Sequence, residues 1–444
     1  MPVKTNTTIA HFHALAAVGS AQLSSLILYS LVQFILVTRL SPVDYGLFVS
    51  ANILAQFCGQ LATSGIDGKI MSNTTLSKSL DYNLILKAIF EYIPFAIVIS
   101  TIFVFSLVFP GSPLNYLKSN NITAIFIVLT AFLQPLQSIL FVLAERNKNV
   151  FISNIILSGP WLLRSFLLLC SPFFINLFHQ FSITIEYVMC SFLLSSVTSI
   201  FYAFKQLAVN QSLVNQYFLQ YTQNFYQSPI RIFQLMWQNY TFFLTSIFIM
   251  APISIAPTIL NNSPAGPSSL PAFSFSYVLF GIFQSVGSQY LMRNYSYRLL
   301  KYSQFLSLQK LFFKIFYFAK GVICFYFFSG FLIVIAFLLL VHNRLIPYSY
   351  HESLSLLVIL MLGLFPSSLV TLWHVVFNKI YYKNIHLASR MLACIAIMPI
   401  MLIASNAFNA YGLCLTLSLY PLVVLLSYAF CVLASNNTIT NRSV

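Results

Sequence analysis

Apolar blocks long enough to cross a bilayer alternate with short polar connections along the whole chain. The blocks run near 15–38, 46–66, 84–109, 122–143, 150–174, 182–204, 232–256, 272–292, 312–340, 353–377, 385–405 and 411–434. Each is continuously apolar rather than alternating at period two, which predicts spanning helices and excludes a β-barrel. Pro110-Gly111-Ser112-Pro113 and the run Asn261 to Pro271 read as loops. The connection from Lys205 to Arg231, rich in Gln, Asn and Tyr, divides the spans six and six. The pattern therefore predicts an all-α polytopic membrane protein of about 12 transmembrane helices, in two six-helix bundles around a central cavity. The expected boundaries are 1–204 for the N-terminal bundle, 205–231 for a cytoplasmic linker and 232–444 for the C-terminal bundle.

Composition agrees: 59% of residues are hydrophobic and 7% charged, against roughly 25% charged in a soluble domain. The formal charge of +15 does not point to nucleic acid, because the basic residues are spread over many connections. With the N-terminus placed in the cytoplasm, 17 of the 22 basic residues fall on inner connections and span ends. Three (Arg39, Lys118 and Arg344) fall outside, and Arg164 and Lys320 lie within spans. That bias predicts both termini inside, with an odd number of missed helices excluded. The first block runs into Arg39 without a small-residue cleavage site and is read as a retained span. The seven cysteines each sit inside an apolar block, none in a Cys-x-x-Cys pair, and read as small hydrophobes. No His-Glu-x-x-His or similar spacing suggests a metal, and no cofactor is expected.

Between the first two spans the chain reads Arg39-Leu40-Ser41-Pro42-Val43-Asp44-Tyr45-Gly46-Leu47-Phe48, and the second span ends at Gly65-Ile66-Asp67. Pro42 fixes its own φ and biases Ser41 away from helix, while Asp44 is placed to cap the helix that follows. The stretch resembles the start of the oligosaccharide-lipid flippases, the O-antigen or polysaccharide-biosynthesis transporters of the multidrug/oligosaccharidyl-lipid/polysaccharide exporter superfamily. Where that family often has a second Arg, this chain has Lys69. A faint internal repeat supports two related halves, since Gln56-Phe57-Cys58-Gly59 in the second span has a counterpart in Gln284-Ser285-Val286-Gly287 in the eighth.

Polar residues recur at helical spacing on the first span (Gln22, Ser25, Tyr29, Gln33) and on the seventh (Gln234, Gln238, Thr241, Thr245). Asn52, Gln56 and Gln60 add to them on the second. Such faces either hydrogen-bond between helices or wall a hydrated cavity. Arg164 lies about fourteen residues into its span, roughly 21 Å at 1.5 Å per residue. A charge there costs at least ~2.5–3.5 kcal/mol. It either snorkels outward or faces the cavity, where an anion offsets the cost. Lys320, near Lys310, Lys314 and Tyr317, has the same two readings, as does Arg390. Arg39 is either an interface anchor or a cation at the cavity mouth. Glu91, four residues after Lys87, and Glu186 read as structural pairs or as coupling groups, with Asp67 beside them as a coupling candidate. Prolines inside spans suit kinked helices.

The resemblance implies a flippase of the bacterial inner membrane that carries an oligosaccharide on an undecaprenyl-diphosphate carrier from the cytoplasmic to the periplasmic leaflet, by alternating access. It implies protons or sodium as the coupling ion and a polysaccharide polymerase as a partner. The cations Arg164, Lys320, Arg39 and Arg390 would meet the diphosphate, and the polar stripes the glycan, with lipid around the prenyl tail. No bond is broken in such a cycle, so no catalytic residue is expected. The rivals are a multidrug exporter of the same superfamily, which would favour carboxylates, and a membrane polysaccharide polymerase or ligase. Enzymes of the latter kind resemble one another in a large outer loop, whereas the longest outer connection here is 257–271.

Overall fold

The computed structural model describes residues 27–63, 98–107, 109, 112, 114, 116–117, 121–146, 150–171, 184–206, 240–264, 266–305, 308–343, 346–377 and 383–439. These form α1 (Ile27–Arg39), α2 (Pro42–Thr63), α3 (Val98–Leu107), α4 (Asn121–Arg146), α5 (Val150–Leu169) and α6 (Ile185–Gln206). There follow α7 (Tyr240–Asn261), α8 (Gly266–Phe305), α9 (Leu308–His342), a 3-10 turn (Tyr348–Tyr350), α10 (Ser353–Met361), α11 (Leu364–Phe377) and α12 (Lys383–Ile439). Every one of the twelve expected spans contains a described helix. The chain is an all-helical membrane protein. Its polarity is that of a protein dissolved in lipid: Leu194, Val197 and Phe201 form an exposed apolar row on α6, while Ser191, Ser195 and Ser199 of the same helix are buried.

Two compact units result, one of Met1–Leu40 with Ala55–Asn239, the other of Ser41–Leu54 with Tyr240–Val444. The Ser-Pro-x-Asp-Tyr-Gly stretch explains how α2 starts. Ser41, not Asp44, is the N-cap: its hydroxyl accepts the Asp44 N–H at 3.1 Å and donates to Asp44 Oδ2 at 2.7 Å. Asp44 is the third helical residue, its carboxylate accepting the Ser41 hydroxyl, and Pro42 occupies the first helical position, where its missing N–H costs nothing. Ser41→Ala therefore destabilises the protein by about 1 kcal/mol, read as a lowered Tm in detergent. The next two motif residues pack. Tyr45 is fully buried edge-on to Phe275 and Tyr350, with ring centroids 6.2 and 5.8 Å away. Gly46 lets α2 close on Leu270, 3.2 Å from where a Cβ would stand.

Two boundaries differ from the sequence reading, and the last two expected spans join in one bent element. The expected loop from Asn261 to Pro271 shrinks, because α8 begins at Gly266, with Pro267 in its first turn, where a missing N–H costs nothing, and Pro271 already inside the helix. The tenth span is broken into α10 and α11, bent by 48°. The break falls at Leu362-Gly363, where Gly363 packs against backbone of Ser418, its position for a Cβ being 2.8 Å from that carbonyl oxygen. Spans eleven and twelve form the 57-residue α12, which drawn straight would be roughly 86 Å long, nearly three bilayer cores. It instead turns at Asn409, the one described non-glycine residue with positive φ (51°). The register confirms a helical hairpin: Arg390 and His386 both bond Tyr428, and Ser389 donates to the Ser427 carbonyl.

Candidate functional site

Within the first unit, Arg164 on α5 is turned inward, 9% exposed. α6 supplies its partners. Arg164 Nε donates to Ser195 Oγ at 2.7 Å, and one terminal nitrogen donates to Ser196 Oγ at 2.9 Å and to the Phe192 carbonyl at 3.5 Å. The guanidinium lies 4.4 Å from the Trp161 ring centroid and 4.2 Å from that of Phe192, so aromatic rings from two helices pack on it. Cation–π contacts reach about 2 kcal/mol each when desolvated, which offsets much of what it costs to hold the charge at this depth. Tyr29 of α1 closes the cluster, packing edge-on to Trp161 at 4.2 Å. Ser165 beside it donates to the Trp161 carbonyl. The local sequence builds this directly. Trp161 is three residues before Arg164, one helical turn, and Phe192, Ser195 and Ser196 repeat at three and four on α6.

A guanidinium has five N–H donors and no acceptor. Among the described residues, Arg164 engages its Nε and one terminal nitrogen and has no carboxylate partner, leaving the other terminal nitrogen for an anion. Outward snorkelling, one of the two readings from sequence, is not what the side chain does.

The other expected site residues divide. Gln33 is buried one turn beyond Tyr29 on α1, and Gln56 is half-buried on α2. Gly59, of the repeat segment, is tight against the Pro135 ring of α4, 3.3 Å from a built Cβ. Thr245 bonds the Thr241 carbonyl of its own helix, so that part of the seventh-span stripe is satisfied locally. Gln284 donates to Ser367, Ser288 meets Thr371 at 3.2 Å, and Tyr326 meets Ser368 at 2.9 Å, a polar seam of α8, α9 and α11. Arg39 is exposed at the end of α1. Lys320 is exposed on α9 with its ammonium 4.5 Å from the Tyr317 ring, and Lys314 reaches over Tyr302. Glu186 sits in the first turn of α6, where a carboxylate favours the helix dipole. Gln22, Gln234, Gln238, Asp67 and Glu91 lie outside the described residues.

Arg390, in the second unit, is buried at 4% exposure and bonds Tyr428 Oη at 3.1 Å and Tyr420. His386 takes Tyr428 on Nδ1 at 2.6 Å and His374 on Nε2 at 3.0 Å. Sequence reasoning does not bring His374 and His386 together. The missing information is the register across the turn at Asn409, which sets residues 386 and 390 opposite 428. The serine cradle of Arg164 is missed as well, although the spacing of Ser195 and Ser196 behind Phe192 is readable on α6.

No family model matches the sequence, and no match is found among curated proteins. Solved structures do match, over almost the whole chain. A lipid II flippase, MurJ, in an inward closed conformation aligns with a TM-score of 0.57 at 13% identity, covering 94% of this chain and 87% of that one. A MATE transporter in complex with MaL6 gives 0.54 at 13% identity, covering 95% of each chain. A transporter of the MOP superfamily from Pyrococcus furiosus, whose binding pocket is described as of reverse polarity, suggesting a different function, gives 0.52 at 13% identity, again covering 95% of each. The chain has their fold. These are helical membrane transporters, and the likeness of this chain to them is one of fold.

Proposed function

We propose that this protein is a flippase for a prenyl-diphosphate-linked oligosaccharide, moving it from the cytoplasmic to the periplasmic leaflet of the inner membrane with both termini cytoplasmic. The observation that carries the reading is Arg164: a buried, aromatic-clamped cation with donors to spare and no carboxylate partner among the described residues. A diphosphate presents to such a guanidinium the oxygens it binds best. A multidrug exporter taking cationic cargo would place a carboxylate where this chain places an arginine. The sequence resemblance to oligosaccharide-lipid flippases and the structural likeness to a lipid II flippase support the same cargo class. Tyr29 and Gln33, on the face of α1 that carries the polar stripe, would meet the sugar, and Lys320, Arg39 and Gln56 remain candidates along the route.

The test is deletion of the gene followed by assay of lipid-linked repeat units. Accumulation on the inner leaflet supports a flippase. Single repeats that reach the outer face but are not polymerised would instead make the protein the polymerase or ligase.

A further inference from the structure

The second unit holds a chain of hydrogen bonds that the transport reading does not use. It runs from Arg390 Nε to Tyr428 Oη (3.1 Å), from Tyr428 Oη to His386 Nδ1 (2.6 Å), and from His386 Nε2 to His374 Nδ1 (3.0 Å). The rings are ordered: His386 stacks on Tyr428, interplanar angle 17°, and stands edge-on to His374 at 4.9 Å. His386 is 1% exposed and Tyr428 2%. We propose that the His374–His386 pair is a proton site that couples proton passage to the transport cycle. The inference rests on the transport reading and names its coupling ion.

The geometry limits how protons are held. A nitrogen-to-nitrogen hydrogen bond needs one donor and one acceptor, and an imidazolium donates from both nitrogens. The pair therefore carries at most one extra proton. Arg390 can donate but not accept, which orients the wire. In the neutral state Tyr428 O–H donates to His386 Nδ1, and His386 Nε2–H donates to His374 Nδ1. When a hydronium ion gives its proton to Tyr428 Oη and leaves as water, the hydroxyl proton moves to His386 Nδ1 and the Nε2 proton of His386 moves to His374 Nδ1. His374 is then the imidazolium, and losing its Nε2 proton completes the transfer. Only N–H and O–H bonds form and break, and one proton enters for each that leaves. The two rings are then left in the opposite tautomers, so the wire must reorient before it passes another proton. That requirement links proton passage to a conformational step.

On α12, Arg390 and Tyr428 adjoin the pair, and Tyr420 bonds Arg390 and donates to the Phe248 carbonyl of α7. The neighbouring elements reach α11 through neutral groups at other positions: Tyr326 of α9 bonds Ser368, and Ser288 and Gln284 of α8 bond Thr371 and Ser367. Among the described residues the charged group of this set is Arg390, which both orients the wire and repels a proton that lingers. His374 links α11 to α12 through this bond, so moving α11 against α12 would make or break the wire.

The experiment uses the full-length protein in proteoliposomes with a fluorescent undecaprenyl-diphosphate disaccharide as probe, its movement read with an impermeant quencher. An imposed difference of one pH unit should change the rate of probe movement by up to about tenfold for one proton per cycle. In H374Q and H386Q the ratio of rates with and without the gradient should fall to about one (no effect). A wild-type rate indifferent to the gradient, or an undiminished ratio in both variants, overturns the inference and leaves the flippase reading standing. If the probe does not move in wild type under any gradient, the cargo reading fails, and the proton site is judged by histidine nitrogen NMR of the full chain in lipid nanodiscs. Uptake of a single proton shared by two coupled rings supports it; independent titration of the rings, or no uptake, overturns it.

Discussion

Replacing Arg164 with alanine slows delivery of the lipid-linked glycan at least about tenfold while the protein still inserts and accumulates in the membrane. Hydrogen bonds to a charged group contribute about 1.5–3 kcal/mol, so losing the contact to a diphosphate slows movement at least about tenfold. Alanine also strips the guanidinium from the corner that Trp161 and Phe192 form and leaves Ser195 and Ser196 with their bonds to the α6 backbone at the Phe192 carbonyl, which keeps both hydroxyls satisfied. The fold therefore tolerates the loss better than the function does. Arg164→Lys separates charge from geometry. It keeps the cation but loses the planar fork that bonds Ser195 and Ser196 at once, and should restore part of the rate. The measurement is movement of a labelled prenyl-diphosphate saccharide in vesicles, with membrane insertion checked by fractionation. A full rate in the alanine variant would remove Arg164 from the site.

What can be read from the chain alone is whatever is written locally. Hydropathy places the spans because the bilayer imposes one length on every block, and the change of direction between the eleventh and twelfth spans is legible in the polar gap at 406–410, where Asn409 makes the turn. The Ser-Pro-x-Asp-Tyr-Gly stretch announces a helix start, but its cap reads as Asp44 when the geometry uses Ser41. The two oxygen-bearing side chains are three apart, and sequence does not say which one accepts the free N–H. The Asn261 to Pro271 run misleads because proline and glycine serve a helix's first turn as readily as a loop. Arg164 is recognisable as a cost needing compensation, yet its compensation comes from Ser195 and Ser196 on a neighbouring helix, 31 and 32 positions away in sequence. The His374–His386–Tyr428 chain is illegible for the same reason. Its members meet through the register of a helical hairpin and the packing of α11 on α12, which no periodicity within a single helix encodes.

Gly412→Val should be the most destabilising single substitution at the α12 turn. A Cβ at residue 412 would overlap the backbone carbonyl of Ala404, and backbone on both sides of a tight hairpin has nowhere to move. Overpacking in a well-packed interior costs about 1–3 kcal/mol, and here the obstacle is the partner helix's own backbone, so the upper end applies. The damage should spread along the hairpin: parting the two halves of α12 lengthens the bonds of Arg390 and His386 to Tyr428, at the far end of the same packed pair. Asn409→Gly provides the opposing case. Asn409 holds φ 51° and ψ −133°, a region that glycine occupies without strain. Relieving it should raise stability by up to about 1 kcal/mol. In the double variant it should recover only a fraction of what Gly412→Val loses, because strain in one dihedral and overlap of two backbones are separate costs. Thermal unfolding in detergent reads both signs. A Gly412→Val protein that melts with the wild type would mean that the two halves of α12 are not packed as a tight hairpin, and the wire built across them would lose its scaffold.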